Sequence, residues 1–163
     1  MADVDSKLLH ELFEYRDGCL FWKSTKSTRK DIIGKKVGCL NSGGYFITQI
    51  NGQHFFVHRI IYQMFNGVVP NTLDHIDGNP QNNKIENLRP ATILQNAYNR
   101  KNYVTNKTGV KGVNFNRQCG KYSARCQVNK KQNWLGFFET LEQAGKAVQE
   151  FRKQHHGEYA NHG

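Results

Sequence analysis

Asp74 and His75 stand side by side near the head of the stretch LDHIDGNPQNNKIENLRP, residues 73–90. An imidazole titrates near neutrality and can take a proton from water, and an adjacent carboxylate can hold a hard divalent cation. Together they are half of a site for cleaving a phosphodiester. The other half must come from elsewhere in the fold, and Asn87 and Asn96 are the candidates. Two plainer readings of the stretch compete. Asp77-Gly78-Asn79-Pro80 reads as a turn, because these residues tolerate unusual backbone angles and bond their own backbone, yet a turn leaves Asp74-His75 unexplained. A calcium loop of the EF-hand kind needs ligands at alternate positions and Gly at the sixth. Counted from Asp74 the third residue is Ile76 and the sixth Asn79, and counted from Asp77 the sixth is Asn82, so neither register works.

These side chains need elements to position them. DSKLLHELFEYRDG carries Asp5 or Ser6 as a cap, Leu8, Leu9, Leu12 and Phe13 at helical spacing, and Gly18 as a stop, which predicts a short amphipathic helix. CLFWK then reads as a strand, and KSTKSTRKDIIGKK as a basic loop, either solvated or lying along phosphates. GYFITQI and QHFFVHRI flank Asn51-Gly52, a signal for a tight hairpin turn. RIIYQMFNG predicts a helix ended by Gly67, with Ile60, Ile61, Met64 and Phe65 facing a core. His58, at the junction of strand and helix, is either a site residue or a structural histidine packed beneath the catalytic loop. ATILQNAYNRKN predicts a helix near Thr92 on which Asn96, Asn99 and Arg100 can share a face. The polar run NYVTNKTG marks a linker. Beyond it, GVKGVNFNRQ, KYSARCQVN and NWLGFFE predict three strands, with turns at QCGK and NKKQ. TLEQAGKAVQEFRKQHHG predicts a helix capped by Thr140, with Ala144, Ala147, Val148 and Phe151 as its apolar stripe.

The charge balance narrows the partner. The 163 residues hold 23 Lys/Arg against 13 Asp/Glu, a formal net charge of +10, and a field of that sign attracts polyanions and releases their counterions. The excess is concentrated late, 12 against 9 in residues 1–100 but 11 against 4 in residues 101–163. The smaller segment is therefore expected to grip nucleic acid while the larger does something else. Only 37% of residues are hydrophobic, so any core is modest. No basic amphipathic helix with an apolar face suggests membrane binding. Cys19, Cys39, Cys119 and Cys126 form no C-x-x-C pair, which argues against a zinc ribbon. With no signal peptide and no apolar run of spanning length, the expectation is a soluble cytoplasmic protein with free thiols.

DHIDGN, then NLR, then QNAYN resembles the HNH nucleases, in the branch common among phage and intron homing endonucleases, from about VHRIIY through Asn99. That resemblance implies a ββα-metal module: strand, loop, strand, and a helix bearing the last ligand. It implies His75 as the general base and Asn87 as the amide that orients His75 or braces the loop. It implies Asp74 and Asn96 as ligands of one divalent ion, with Asn96 where many HNH enzymes have a final histidine. A carboxylate and an amide oxygen suit Mg²⁺ or Mn²⁺ better than a softer ion. Single-metal hydrolysis would leave 5′-phosphate and 3′-hydroxyl ends. Asn99 is an alternative ligand or phosphate contact, and Arg89 a phosphate clamp or a surface charge.

GVKGV, GKYSARCQV, WLGFFETLEQA and HGEYA resemble the Apetala/ethylene-response-factor type of DNA-binding domain over most of residues 108–160. In that family a three-stranded sheet enters the major groove and a helix supports it from behind. Lys111, Asn114, Arg125, Gln127 and Trp134 match its DNA-facing set, and alternation along KYSARCQV turns Tyr122, Ala124, Cys126 and Val128 toward the helix and Ser123, Arg125 and Gln127 away. Lys130 and Lys131 are expected phosphate contacts. The expected fold class is α+β: an HNH domain over 1–100, a linker over 101–108, and a three-stranded antiparallel sheet packed on one helix over 109–163. The expected function is a divalent-metal-dependent endonuclease acting on double-stranded DNA in a host cell's cytoplasm, with a homodimer possible. A DNA-binding regulator on an inactive HNH scaffold, or a restriction or packaging nuclease, are the alternatives.

Overall fold

The computed structural model describes residues 4–25, 30–100 and 106–162, and its contacts divide the chain into two compact units, residues 1–91 and 92–163. Most of the expected 101–108 linker, and part of the basic loop at 26–29, lie outside the described residues. Both units mix helix and sheet.

The first unit opens with α1 (Ser6–Leu12), capped by the Asp5 carboxylate, which accepts from the Lys7 N–H. The helix is shorter than its sequence pattern suggests. Phe13–Arg16 is instead strand β1, paired antiparallel with β2 (Cys19–Trp22) through a tight turn at Asp17-Gly18, both at positive φ. Gly18 is thus a hairpin turn and not a helix stop. Phe13 satisfies both periodicities, and the alternation of Phe13 and Tyr15, followed by Asp-Gly, is the one that wins.

A three-stranded sheet follows, with β3 (Cys39–Leu40), β4 (Phe46–Ile50) and β5 (Gln53–Phe56) in that order. Its β4–β5 turn is Asn51-Gly52, again at positive φ. Helix α2 (Val57–Asn66) then buries Val57, His58, Ile60 and Ile61 and stops at Gly67. Phe65, expected in the core, is 54% exposed, its ring edge-on to Tyr15. The core joins Leu9, Leu12, Phe13 and Leu20 to Ile50, Val57, Ile60, Ile61, Leu73 and Leu88. The unit ends in a short ribbon, β6 (Leu73–His75) against β7 (Leu88–Pro90). Arg59 on α2 donates to the carbonyls of Pro70 and Asn71 and so fixes the approach to β6.

The second unit begins with α3 (Ile93–Tyr98), closed by a capping box between Thr92 and Gln95. Strands β8 (Val113–Asn116), β9 (Lys121–Val128) and β10 (Lys131–Phe138) form an antiparallel sheet with β9 central. Helix α4 (Leu141–His156), capped by Thr140 and Gln143, packs on it. The core is small: Val113, Ala124, Ala144 and Val148, flanked by Tyr122, Leu135, Phe138 and Leu141. The buried stripe of α4 differs from the expected one. It runs through Ala144, Gly145, Val148, Arg152 and His156, with Ala147 and Phe151 only half-buried. All four cysteines are free thiols. Among the described residues no helix is long and apolar enough to cross a membrane.

Candidate active site

The β6–β7 ribbon presents the two chemical residues to different partners. Successive strand residues point to opposite faces. Asp74 lies opposite Arg89 in the register, and both Nε and one terminal nitrogen of Arg89 donate to Asp74 Oδ2 at 2.9 Å. The pair is largely shielded from solvent, with side-chain exposures of 4% and 14%. Arg89 is therefore not a surface charge in this arrangement.

His75 is 6% exposed, and its Nε2 lies 2.9 Å from Oδ1 of Asn83, itself 2% exposed. A carbonyl oxygen can only accept, so Nε2 carries the proton and, in the neutral ring, the lone pair resides on Nδ1. The ring of His75 also packs edge-on to His58, centroids 5.0 Å apart, with Tyr45 at 6.0 Å. His58 is buried in the first turn of α2, and its Nδ1 has no hydrogen-bond partner among the described residues. Burial, then the nearby His75 and Arg59, push its pKa down to about 3, so it is a neutral aromatic wall behind His75. That is the structural alternative of the two readings its sequence position left open.

The loop between the strands is built from side-chain amides and carboxylates. Asp77 Oδ1 accepts from the Asn79 N–H and from Asn87 Nδ2, and Asp77 Oδ2 accepts from Asn82 Nδ2. Burial alone would raise the Asp77 pKa, but the bonds from Asn82, Asn79 and Asn87 outweigh it and hold the carboxyl below its ordinary value. Asn87 uses both ends of its amide on this loop: Nδ2 donates to Asp77 and to the Asn82 carbonyl, and Oδ1 accepts from the Asp77 N–H. It touches the loop, while the contact to His75 comes from Asn83.

Nothing in the sequence separates Asn83 from the three other asparagines of the stretch, and nothing marks Tyr45. The N-terminal hairpin shows what holds Asn83 in place. Asp17 pairs with Lys84 at 2.7 Å, Tyr15 Oη accepts from the Ile85 N–H, and the turn at Gly18 approaches so closely that a Cβ there would lie 2.9 Å from the Lys84 nitrogen.

The second unit holds the remaining predicted residues. Asn96 lies on α3, half-buried. Asn99 is 5% exposed and its carbonyl and side-chain oxygens accept from Asn161, a buried anchor for the end of α3. Lys111 departs furthest from its expected place on an exposed sheet face. Its ammonium donates to the carbonyls of Tyr98 (3.0 Å), Arg100 and Asn161 (3.3 Å), because it precedes β8 and its side chain turns inward. Asn114, Arg125, Gln127 and Trp134 are all exposed, with Trp134 opposite Arg125. A bulge at Leu135 shifts the β10 register, so that Phe137 joins Trp134 on the same face with ring centroids 5.0 Å apart. Lys130 sits in the β9–β10 turn at positive φ, and Lys131 opens β10, exposed.

Residues 55–98, which contain α2, the β6–β7 ribbon, Asn83, Asn87 and α3, match a family model described as HNH endonuclease. Protein 3.8 of Escherichia phage T7 is 30% identical over 105 residues, covering 63% of this chain and 86% of that protein. An uncharacterized HNH endonuclease, L560, of Acanthamoeba polyphaga mimivirus is 33% identical over 132 residues, covering 79% of this chain and 67% of that one. No solved structure matches. With the Asp-His ribbon, its asparagine-built loop and these relatives in agreement, the chain belongs to the HNH endonuclease family.

Proposed function

We propose that this chain hydrolyses phosphodiester bonds of double-stranded DNA with a divalent metal ion, as a nuclease of the homing-endonuclease type, with His75 as the general base. The observation that carries this reading is the buried contact of His75 Nε2 with Asn83 Oδ1. It leaves Nδ1 as the basic atom of the neutral ring, and Nδ1 takes the proton as the water oxygen attacks phosphorus. The bond from phosphorus to the 3′ oxygen breaks, that oxygen takes a proton from solvent water, and the products are 5′-phosphate and 3′-hydroxyl ends. Asn83 fixes the ring and its tautomer, and Asn87 keeps the loop that carries Asn83 closed. Positioned base catalysis of this kind contributes about 10²–10⁴-fold.

Asp74 is the carboxylate ligand on this reading, oriented through Oδ2 by Arg89. Among the described residues no three His, Cys, Asp or Glu side chains could hold an ion together. This donor set fits Mg²⁺ or Mn²⁺, which accept few protein oxygens and complete their shell with water and substrate phosphate. Such an ion, when bound, stabilises charge developing on the phosphate and leaving oxygens. Asn96 is the amide ligand that the family resemblance implies. It stands in the second unit, and an Asn96→Ala variant reads its contribution. The exposed sheet face with Asn114, Arg125, Gln127 and Trp134 is assigned to base edges, where Arg reads guanine and Gln reads adenine. The phage relative makes a host cell's cytoplasm the expected place of action.

The test is cleavage of supercoiled plasmid with Mg²⁺ or Mn²⁺, comparing wild type with His75→Ala and mapping the ends. Metal-dependent cutting, reduced at least about 100-fold by the substitution, is the expected result. DNA binding by clean wild-type protein without cleavage across a wide panel of substrates would overturn it in favour of a regulator.

A further inference from the structure

The second unit contains a cavity of about 730 Å³ whose wall is unusual in its charge. Arg100, Lys111, Arg125, Lys130 and Arg152 line it, and among the described residues no aspartate or glutamate does. Of these, Arg152 is buried and Lys111 half-buried. Arg152 is 3% exposed and its guanidinium donates to the Lys111 carbonyl, while the Lys111 ammonium is held by the three carbonyls already described. Neither has a carboxylate partner among the described residues. Burial and then the neighbouring Arg152 push the Lys111 pKa down to about 8, and burial lowers that of Arg152.

Buried charges are ordinarily paired or hydrogen-bonded, because a charge taken out of water is costly unless partners compensate it. A buried guanidinium beside a half-buried ammonium, both on a cavity with no acid among its described lining residues, is therefore arranged for an anion from outside the chain. The volume falls within the range of about 300–1,000 Å³ of small-ligand sites, larger than one oxyanion needs. The α3 wall adds an apolar surface, including Ile93 at 82% exposure, that suits a sugar or base. Arg125 and Gln127 belong both to the exposed sheet face and to the cavity lining, so the face and the cavity adjoin.

We propose that this cavity receives a backbone phosphate and the adjoining nucleotide of a DNA strand, with the buried Arg152 and the half-buried Lys111 as its positive floor and Arg100 and Lys130 as the rim. The proposal rests on the reading of the chain as a DNA-acting enzyme and adds a second place of contact, distinct in chemistry from base reading on the sheet.

Binding is measured in EDTA on the full chain, by fluorescence anisotropy of a labelled duplex over a series of salt concentrations, so no cleavage is needed. The exposed rim variants Arg100→Gln and Lys130→Gln are used, with folding checked by circular dichroism, because Arg152 is too buried to substitute safely. Each phosphate contact removed is expected to weaken binding across all sequences and to reduce the slope of log affinity against log salt by about 1. Resonances of Lys111 and His156 should also shift on duplex addition. If the rim variants bind with unchanged affinity and slope while wild type binds DNA, the cavity proposal fails and the nuclease reading stands. If wild type binds no DNA, both fail. If inorganic phosphate alone shifts those resonances and the rim variants leave DNA binding unmoved, the cavity is a small-anion site and the strand assignment is overturned.

Discussion

A neutral imidazole can carry its proton on either nitrogen, and at position 75 the choice is made by the side chain of Asn83. Removing a buried hydrogen bond of this kind costs about 1–3 kcal/mol, or roughly 10–100-fold in rate if it acts on the reacting geometry. Asn83→Ala is therefore expected to lower kcat by that factor with little change in KM. Asn83→Asp, which keeps an acceptor oxygen, should recover most of the loss, and the ¹⁵N signals of His75 should report the proton on Nε2 in wild type and a mixture in the Ala variant. An Ala variant with wild-type kcat and an unchanged ¹⁵N pattern would remove Asn83 from the mechanism. His58 makes a separate prediction about stability. Its pKa is depressed to about 3 in the fold, against about 6.5 in an unfolded chain. Between those values the unfolded chain binds a proton that the folded one refuses. The contribution is thus complete above about pH 6.5 and is lost as pH falls toward 3, by up to about 1.4 kcal/mol per unit. In His58→Phe this part of the acid slope should vanish, as read by urea unfolding at pH 7 and pH 4.5. An unchanged slope would show that other groups dominate.

Two tight hairpins in the first unit have different duties, and a pair of glycines separates them. Gly52 and Gly18 both adopt positive φ, but a Cβ at Gly52 meets nothing within 4 Å among the described residues, whereas at Gly18 it meets the Lys84 nitrogen and the Asn83 carbonyl carbon at 2.9 and 3.2 Å. Gly52→Ala should cost only the backbone strain, about 1–2 kcal/mol, seen as a lower Tm with kcat preserved. Gly18→Ala carries the same strain and also displaces the residue that holds His75, so kcat should fall in protein that is still folded. Equal kcat in the two variants would mean that the N-terminal hairpin supports the fold alone. In the second unit, Thr140→Ala should destabilise by about 1 kcal/mol through loss of the α4 cap, measured by thermal unfolding.

The whole chain combines a charge of +10 with a site whose metal would be held mainly by water and substrate. Binding and chemistry should then separate cleanly: EDTA is expected to abolish cleavage while leaving duplex binding intact, and rising salt to weaken binding along a straight line in log–log coordinates. Cleavage that persists after exhaustive chelation, measured on the same plasmid substrate, would remove the metal from the mechanism.

Much of this was legible in the residues themselves because the signals are local. Asn51-Gly52 between alternating strands, the Thr140 capping box and the alternation of KYSARCQV each lie within one element, and each appears in the fold as its sequence dictates. The adjacent Asp74-His75 was equally visible, since its chemistry is carried by residue type. What the sequence left undecided depends on partners distant along the chain. Phe13 fits a helix and a strand equally well until Trp22 pairs with it. Asn83 is one amide among several until the fold aims its oxygen at His75. Arg89 reads as a free cation until the ribbon sets it across from Asp74, and Lys111 reads as a surface contact until three carbonyls close around it. Residue type and spacing determined which groups could do chemistry. Only the tertiary structure decided which of them are held still, because holding requires burial and a hydrogen-bond partner, and both come from other parts of the chain.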